Sequence, residues 1–304
     1  MGIVNPQTFF DNFALFADAP NGVLKLRELI LQLAIEGKLV DQDSSDEPAC
    51  VLLEKIKIKQ QYLLREGLIK EIKVRPLEFL NRLPYGWEWS RLGSISAKLG
   101  AGSTPLGGRN VYQDEGVKFL RSQNVWNDGL RLDTVAHVSE SIHSEMSGTQ
   151  VEAGDILLNI TGASIGRSCV VPNDLGDANV SQHVSIVRLI DKRLRFFIHL
   201  CLISPYVQDS IMRTQVGISR EGLSMRSLKD FLLPIPPLEE QKRIVAKVNQ
   251  LMSLCDDFET KLRSAEAVSE KLMNAAVQHV LEAVTEAHSS NGYASANHKH
   301  STEA

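Results

Sequence analysis

Four short stretches bring together side chains that can read the edge of a base pair or grip a phosphate. "RSQNVWNDG" (121–129) carries Arg121, Gln123, Asn124 and Trp126, and "TGASIGR" (161–167) carries Thr161, Ser164 and Arg167. "VSQH" (180–183) adds Gln182 and His183, and "GISREG" (217–222) adds Ser219 and Arg220. Arginine pairs bidentately with guanine, and asparagine or glutamine with adenine. Small hydroxyl side chains and backbone N–H groups fix register on phosphates. Each of these residues, taken alone, reads equally well as an ordinary polar turn former.

Residue sets for catalysis are incomplete wherever they begin. Gly100 and Gly102 in "KLGAGSTPLGG" do not complete a dinucleotide-binding G-x-G-x-x-G, because Pro105 takes the third place, and no lysine follows as a phosphate loop requires. "NPQT" (5–8) lacks the second proline and the aromatic residue of an amino-methyltransferase. His137 and His143 stand six apart, His298 and His300 lie near the end, and no carboxylate joins either pair, so no metal site is expected. Asp114, Glu115 and Lys118 in "QDEGVK" have the wrong Glu–Lys spacing for a two-carboxylate nuclease and read as a solvated turn. Ser164 sits in a G-x-S-x-G spelling, Gly162 to Gly166, but the "RSCVV" that follows is β-like where a nucleophile elbow needs a helix.

The elements that must carry these loops change in character along the chain. Residues 21–39 place Leu26, Leu29, Ile30 and Leu33 at helical spacing and stop at Gly37. Ser45 or Asp46 can cap a second helix over 49–66, with Pro48 in its first turn, so a helical hairpin is expected at the front. From 90 to 232 the pattern turns to short β-rich runs such as "GVKFLRSQNV", "GDILLNI", "RSCVVP" and "HVSIVRLI", interrupted by one helix at 193–211. After "LPIPP" a long helix runs to about 284, with Glu239 and Glu240 in its first turn. Ile244, Val248, Leu251, Cys255, Phe258, Leu262 and Ala265 recur at alternating spacings of four and three, a heptad seam that then slips at Val268 and Leu272. A helix of that length spans about 70 Å and calls for a partner helix.

The expected fold is α+β: a mixed recognition domain with a β-rich core, an N-terminal helical hairpin and a long C-terminal coiled-coil helix. The divisions fall at 1–83, 84–236, 237–285 and a disordered polar tail at 286–304. The chain has 304 residues and a net charge of −4. Charge is distributed unevenly: residues 1–50 hold 3 basic and 8 acidic side chains, whereas 192–229 hold seven basic residues, Arg213 among them, against two acidic. A local basic patch on an acidic protein is consistent with a polyanionic partner. The four cysteines are scattered without a C-x-x-C, no run of 18 apolar residues occurs and "MGIVNPQTFF" is unlike a signal peptide, so a reducing, cytoplasmic location without membrane insertion is expected.

"PIPPLEEQKRIVAKVNQLMSLCDDFETKL" resembles the start of the long helix in specificity subunits of type I restriction-modification systems. "LRELILQLAIEGKLVDQDSSDEPACVLLEKI" is similar to that family's front region, and "LPYGWEWSRLG" to the beginning of its target-recognition domain. "GSTPLGG", "FLRSQNV", "GDILLNITGASIGRSCVV" and "NVSQHVSIVRL" match landmarks inside that domain. The resemblance implies a non-catalytic subunit that binds double-stranded DNA. It extends the candidate DNA contacts to Ser103, Thr104 and Arg109. It also implies docking of methyltransferase subunits, which use S-adenosylmethionine, and of a restriction subunit, which uses ATP and Mg, with no cofactor in this chain. The family's full length has two recognition domains, and only one is found here. Either a half-length subunit that pairs with itself or with a second half, across the seam, or a shortened product is therefore expected. A helical adaptor whose middle domain binds protein instead of DNA remains the alternative.

Overall fold

The computed structural model describes residues 21–78, 81–217 and 222–296, without the side chains of 109, 214–217 and 283–296. Helix α1 (Gly22–Ile35) ends at Gly37, whose φ of +67° is the left-handed conformation that closes a helix. A Cβ there would stand 2.7 Å from Pro84 Cγ, so glycine also lets the helix end abut the start of the central module. Helix α2 (Ala49–Arg65) begins after Pro48, which occupies the N-cap with no side-chain capping bond. The expected cap from Ser45 or Asp46 is not made, because the Asp46 carboxylate instead accepts from Arg243 Nη2 at 2.7 Å.

The central module runs through β1 (Glu88–Arg91), β2 (Ser96–Ala101), β3 (Val117–Leu120), β4 (Val125–Trp126), β5 (Gly129–Leu130) and β6 (Ala136–Val138). A short helix α3 (Glu140–Glu145) leads to β7 (Ile156–Asn159), β8 (Ser168–Val170), β9 (Ala178–Val180) and β10 (Val184–Leu189). Helices α4 (Arg195–Ile203), α5 (Pro205–Gly217) and α6 (Met225–Lys229) precede β11 (Leu232–Ile235) and the long α7 (Leu238–Ala296). The strands form a four-stranded antiparallel sheet in the order β2-β10-β7-β8 and a three-stranded sheet in the order β6-β3-β9. In the second sheet β3 and β9 run parallel. Strand β7 is buried along its whole length, as its unbroken apolar run Ile156–Leu158 requires. Leu120, Leu157, Val180, Val184 and Ile186 meet in the core that joins the two sheets.

The single helix expected at 193–211 is two helices. Pro205 has no N–H to continue α4, so Ser204 turns out with ψ of 152° and α5 starts at the proline. Helix α4 packs on β8, and there His199 Nε2 lies 2.8 Å from the Ser168 carbonyl. Burial holds the His199 pKa below its usual value, opposed by that hydrogen bond.

Contacts divide the described residues into two units: one within 26–251, and one of 21–25 with 252–296. In the first unit β1 pairs antiparallel with β11, Glu88 opposite Ile235, so the module begins and ends at one place. Beside that pair Trp87 Nε1 donates to Glu240 Oε2 at 3.0 Å, and the Trp87 ring meets Phe197 edge-on with centroids 6.1 Å apart. Burial raises the Glu240 pKa, against the lowering effect of the Trp87 bond and Arg243. Ile244 and Val248 of the expected seam are 0% and 1% exposed in the single chain, and Leu251 is half-buried. They are already covered, which corrects the expectation that they stand open to a partner helix. In the second unit Cys255 is buried and Phe258 and Leu262 are half-buried, whereas Val268, Leu272, Met273 and Val277 are exposed. The helix continues through 286–296, inside the stretch expected to lack order, and 297–304 lie outside the described residues. Extending an existing helix fixes one residue per hydrogen bond, so a polar composition stops it less readily than it prevents a new start.

The neutral imidazole of His199 sets a pH dependence. Above the unfolded-state value of 6.5 neither state holds the proton; below it the unfolded chain binds one that the buried ring resists. Stability should therefore fall as pH drops below 6.5, and His199→Gln should flatten that part of the curve. Thermal unfolding from pH 7.5 to 5 checks this; equal slopes in the two proteins would contradict it.

Candidate nucleic-acid interface

One end of the module collects loops from far apart in sequence and ties them together by backbone hydrogen bonds. Gly102 N–H donates to the Val184 carbonyl at 2.9 Å and Ser103 N–H to the Val180 carbonyl at 3.3 Å. A Cβ on Gly102 would stand 2.0 Å from the Val180 oxygen, so this loop is seated by a contact that only glycine permits. Ile160 N–H donates to His183 at 3.0 Å, and Leu223 N–H to Ile160 at 2.7 Å. Ser181 N–H reaches the Leu120 carbonyl at 2.9 Å, which joins the 180–183 turn to the end of β3.

Side chains complete the ties. Asn159, fully buried at the end of β7, donates through Nδ2 to the Ser122 carbonyl at 2.8 Å and to Ser164 Oγ at 3.1 Å. Ser168 N–H donates to Asn127 Oδ1 at 3.0 Å, which links the β4–β5 hairpin to the end of the 161–167 loop. Thr104 donates to the Gln182 side-chain carbonyl, and Thr161 Oγ1 lies 2.6 Å from His183 Nδ1. Ser103, Thr104, Gln123, Trp126, Gln182 and His183 are thus brought to one exposed face, with Thr161, Ser164 and Arg167 half-buried among them.

Not every expected residue reads outward. Asn124 is 0% exposed; its Oδ1 accepts from Arg121 N–H at 2.9 Å and its Nδ2 donates to the Arg131 carbonyl at 2.8 Å. It builds the loop and presents nothing to a ligand. Arg121 is tethered, donating from Nη2 to the Thr134 carbonyl at 3.2 Å and lying 5.8 Å from the Tyr112 ring centroid. Arg213 lies elsewhere, lining a shallow groove with Gln32, Tyr206 and Asp209. Ser219 and Arg220 lie outside the described residues, as does the Arg109 side chain. The basic run 192–229 is not a bare patch, since Lys192 pairs with Glu152 at 3.1 Å and Arg193 with Asp191 at 2.6 Å.

Residues that the sequence did not single out are the scaffold asparagines, Asn127 and Asn159. The signal for Asn159 was present: a polar residue closing the buried run "ILLN" must find partners inside. After Ser164 the chain enters β8, antiparallel to β7, so the G-x-S-x-G spelling lies in a strand-to-strand loop. Among the described residues no three His, Cys, Asp or Glu side chains gather to hold a metal ion, and no helix is long and apolar enough to cross a membrane.

Because Asn124→Ala strips the partners from two backbone groups, it should cost about 2–3 kcal/mol. Urea unfolding measures it, and a loss below about 0.5 kcal/mol would mean that the loop is held by other contacts.

The family model for the type I restriction modification DNA specificity domain matches residues 84–266. The specificity subunits of the type I restriction enzymes EcoEI and EcoAI of Escherichia coli are 28% identical over 268 residues and 29% over 269. Each match covers 82% of this chain and 44% of the relative, so the chain spans less than half the length of these relatives. One chain of a type I R-M system, solved in work on its complex assembly and conformational transition, superposes with a TM-score of 0.51 at 17% identity. That superposition covers 88% of this chain and 57% of the other, and supports the fold alone. The match takes in the β-rich module with its tied loops and the first part of α7, and the chain belongs to the type I restriction-modification DNA specificity domain family.

Proposed function

We propose that this chain is the non-catalytic, DNA-reading specificity subunit of a type I restriction-modification complex, working in the cytoplasm. The observation that carries the reading is the loop face: loops near 103, 123, 161–167 and 182 are hydrogen-bonded into one surface whose exposed groups are those used for base and phosphate contacts. The chain reads one half of a bipartite site and docks methyltransferase and restriction subunits, directing adenine methylation or cleavage. S-adenosylmethionine, ATP and Mg act in those partners. A second reader, supplied by another copy or a second half-subunit, is supported by the exposed apolar residues Val268, Leu272, Met273 and Val277 of α7.

Methylome sequencing of cells that express the chain with its methyltransferase tests this directly. The expected result is one split adenine-methylated motif, palindromic if the chain pairs with itself. Methylation without sequence preference, or none, sinks the reading in favour of a protein-binding adaptor. Binding to the motif should fall by roughly 10³-fold or more between 50 and 200 mM salt while preference persists.

Gln123→Ala should relax recognition at one base by about 1–3 kcal/mol. Uniform weakening on every sequence would move Gln123 to the phosphates. Leu272→Asp should lower the mass of the assembly by light scattering without changing thermal unfolding. An unchanged mass would exclude that stretch from the contact.

A further inference from the structure

Three arginines, Arg121, Arg131 and Arg167, lie in the loops of the reading face, and two of them already have protein acceptors. Arg121 donates to the Thr134 carbonyl, and Arg131 donates to Asp128 Oδ2 at 2.5 Å. The guanidinium of Arg167 is held differently, with its central carbon 3.8 Å from the centroid of the Trp126 ring. No acceptor for its N–H groups occurs among the described residues. At that distance the planar cation rests on the ring face, and its in-plane donors remain available. Both halves of the stack are clamped. Trp126 Nε1 donates to the Gln123 carbonyl at 2.9 Å. On the other side, Arg167 N–H donates to Ser164 and its carbonyl accepts from Asn159 N–H at 2.8 Å. The Asn127 bond to Ser168 then locks the hairpin that carries the ring to the strand that follows the arginine.

We infer that Arg167 is a specificity-determining residue that delivers a bidentate hydrogen bond to a pair of acceptors on the DNA, and that Trp126 is the positioning residue that holds it. The indole has its own N–H occupied and is 39% exposed with the cation across its face, so it acts through Arg167 and not by stacking on a base. A guanidinium fixed before binding loses less freedom when it pairs, and a lysine, as a point charge on a flexible stem, cannot reproduce the fork. The inference rests on the DNA-reading function proposed above.

The test uses the complex of this chain with its methyltransferase, and a labelled duplex carrying the motif found by methylome sequencing. Arg167→Ala should weaken binding about 10–100-fold, and Arg167→Lys should recover little of it. Trp126→Ala should cause a similar loss alone and no further loss in the Arg167→Ala background, and Trp126→Phe should restore most of the affinity. Thermal unfolding of each variant should stay at the wild-type temperature; for Trp126→Ala, a lowered temperature hands the decision to Trp126→Phe. Loss confined to one motif position assigns the acceptors to a guanine edge, and uniform loss with a shallower salt dependence assigns them to a phosphate. An Arg167→Ala complex within twofold of wild type overturns the inference, as does a Trp126→Ala loss that is equal in both backgrounds. A wild-type complex with no motif preference removes the DNA-reading function itself, and this inference with it.

Discussion

The structure depends on how a β-rich module is fixed to a helix that leaves it. That joint is made at one place, where β1 pairs with β11 and the Trp87 indole donates to Glu240 in the first turn of α7. Three prolines and the acidic pair after them bring the chain to the helix in an extended path and put a carboxylate at a helix start, where the dipole favours it. Arg243, one turn on, reaches back to Asp46 at 2.7 Å, so the segment before α2 is tied to the same turn. The joint therefore closes the β-rich module and starts α7 at the same point.

The exposed loop face rests on a layer of buried amides. Asn124 and Asn159 use both ends or repeated donors to cross-link loops, and Asn179 does the same for the turn after α3, with Nδ2 bonds to Met146 and Thr149. An amide can satisfy a donor and an acceptor at once and carries no charge into the interior, which suits it to loop ends that cannot use a sheet ladder. Exposed polarity at the loop tips and buried polarity beneath them thus use the same residue types at adjacent positions.

That coincidence explains what was legible in the sequence and what was not. The strands of "GDILLNI" and "HVSIVRLI" and both front helices follow from periodicity, because burial imposes a pattern on consecutive residues. Composition marks the loops as polar but cannot say which polar group turns inward, so Gln123 and Asn124, neighbours of similar chemistry, separate only once the Arg121 and Arg131 backbones are in place. The heptad reading identified the apolar face of α7. It could not tell that the first two seam residues, Ile244 and Val248, are already buried in the single chain, because periodicity is blind to whether the cover is internal.

Gly102 carries a consequence for how such a protein changes over generations. Its hydrogen atom faces the Val180 oxygen where any Cβ would stand at 2.0 Å, so the seat of that loop is closed to substitution. Two residues on, exposed Thr104 donates a hydrogen bond to another exposed side chain, Gln182. Substitution at the tip thus meets less steric resistance than substitution at the anchor beneath it, so the side chains that the loop displays can vary while its seat stays the same.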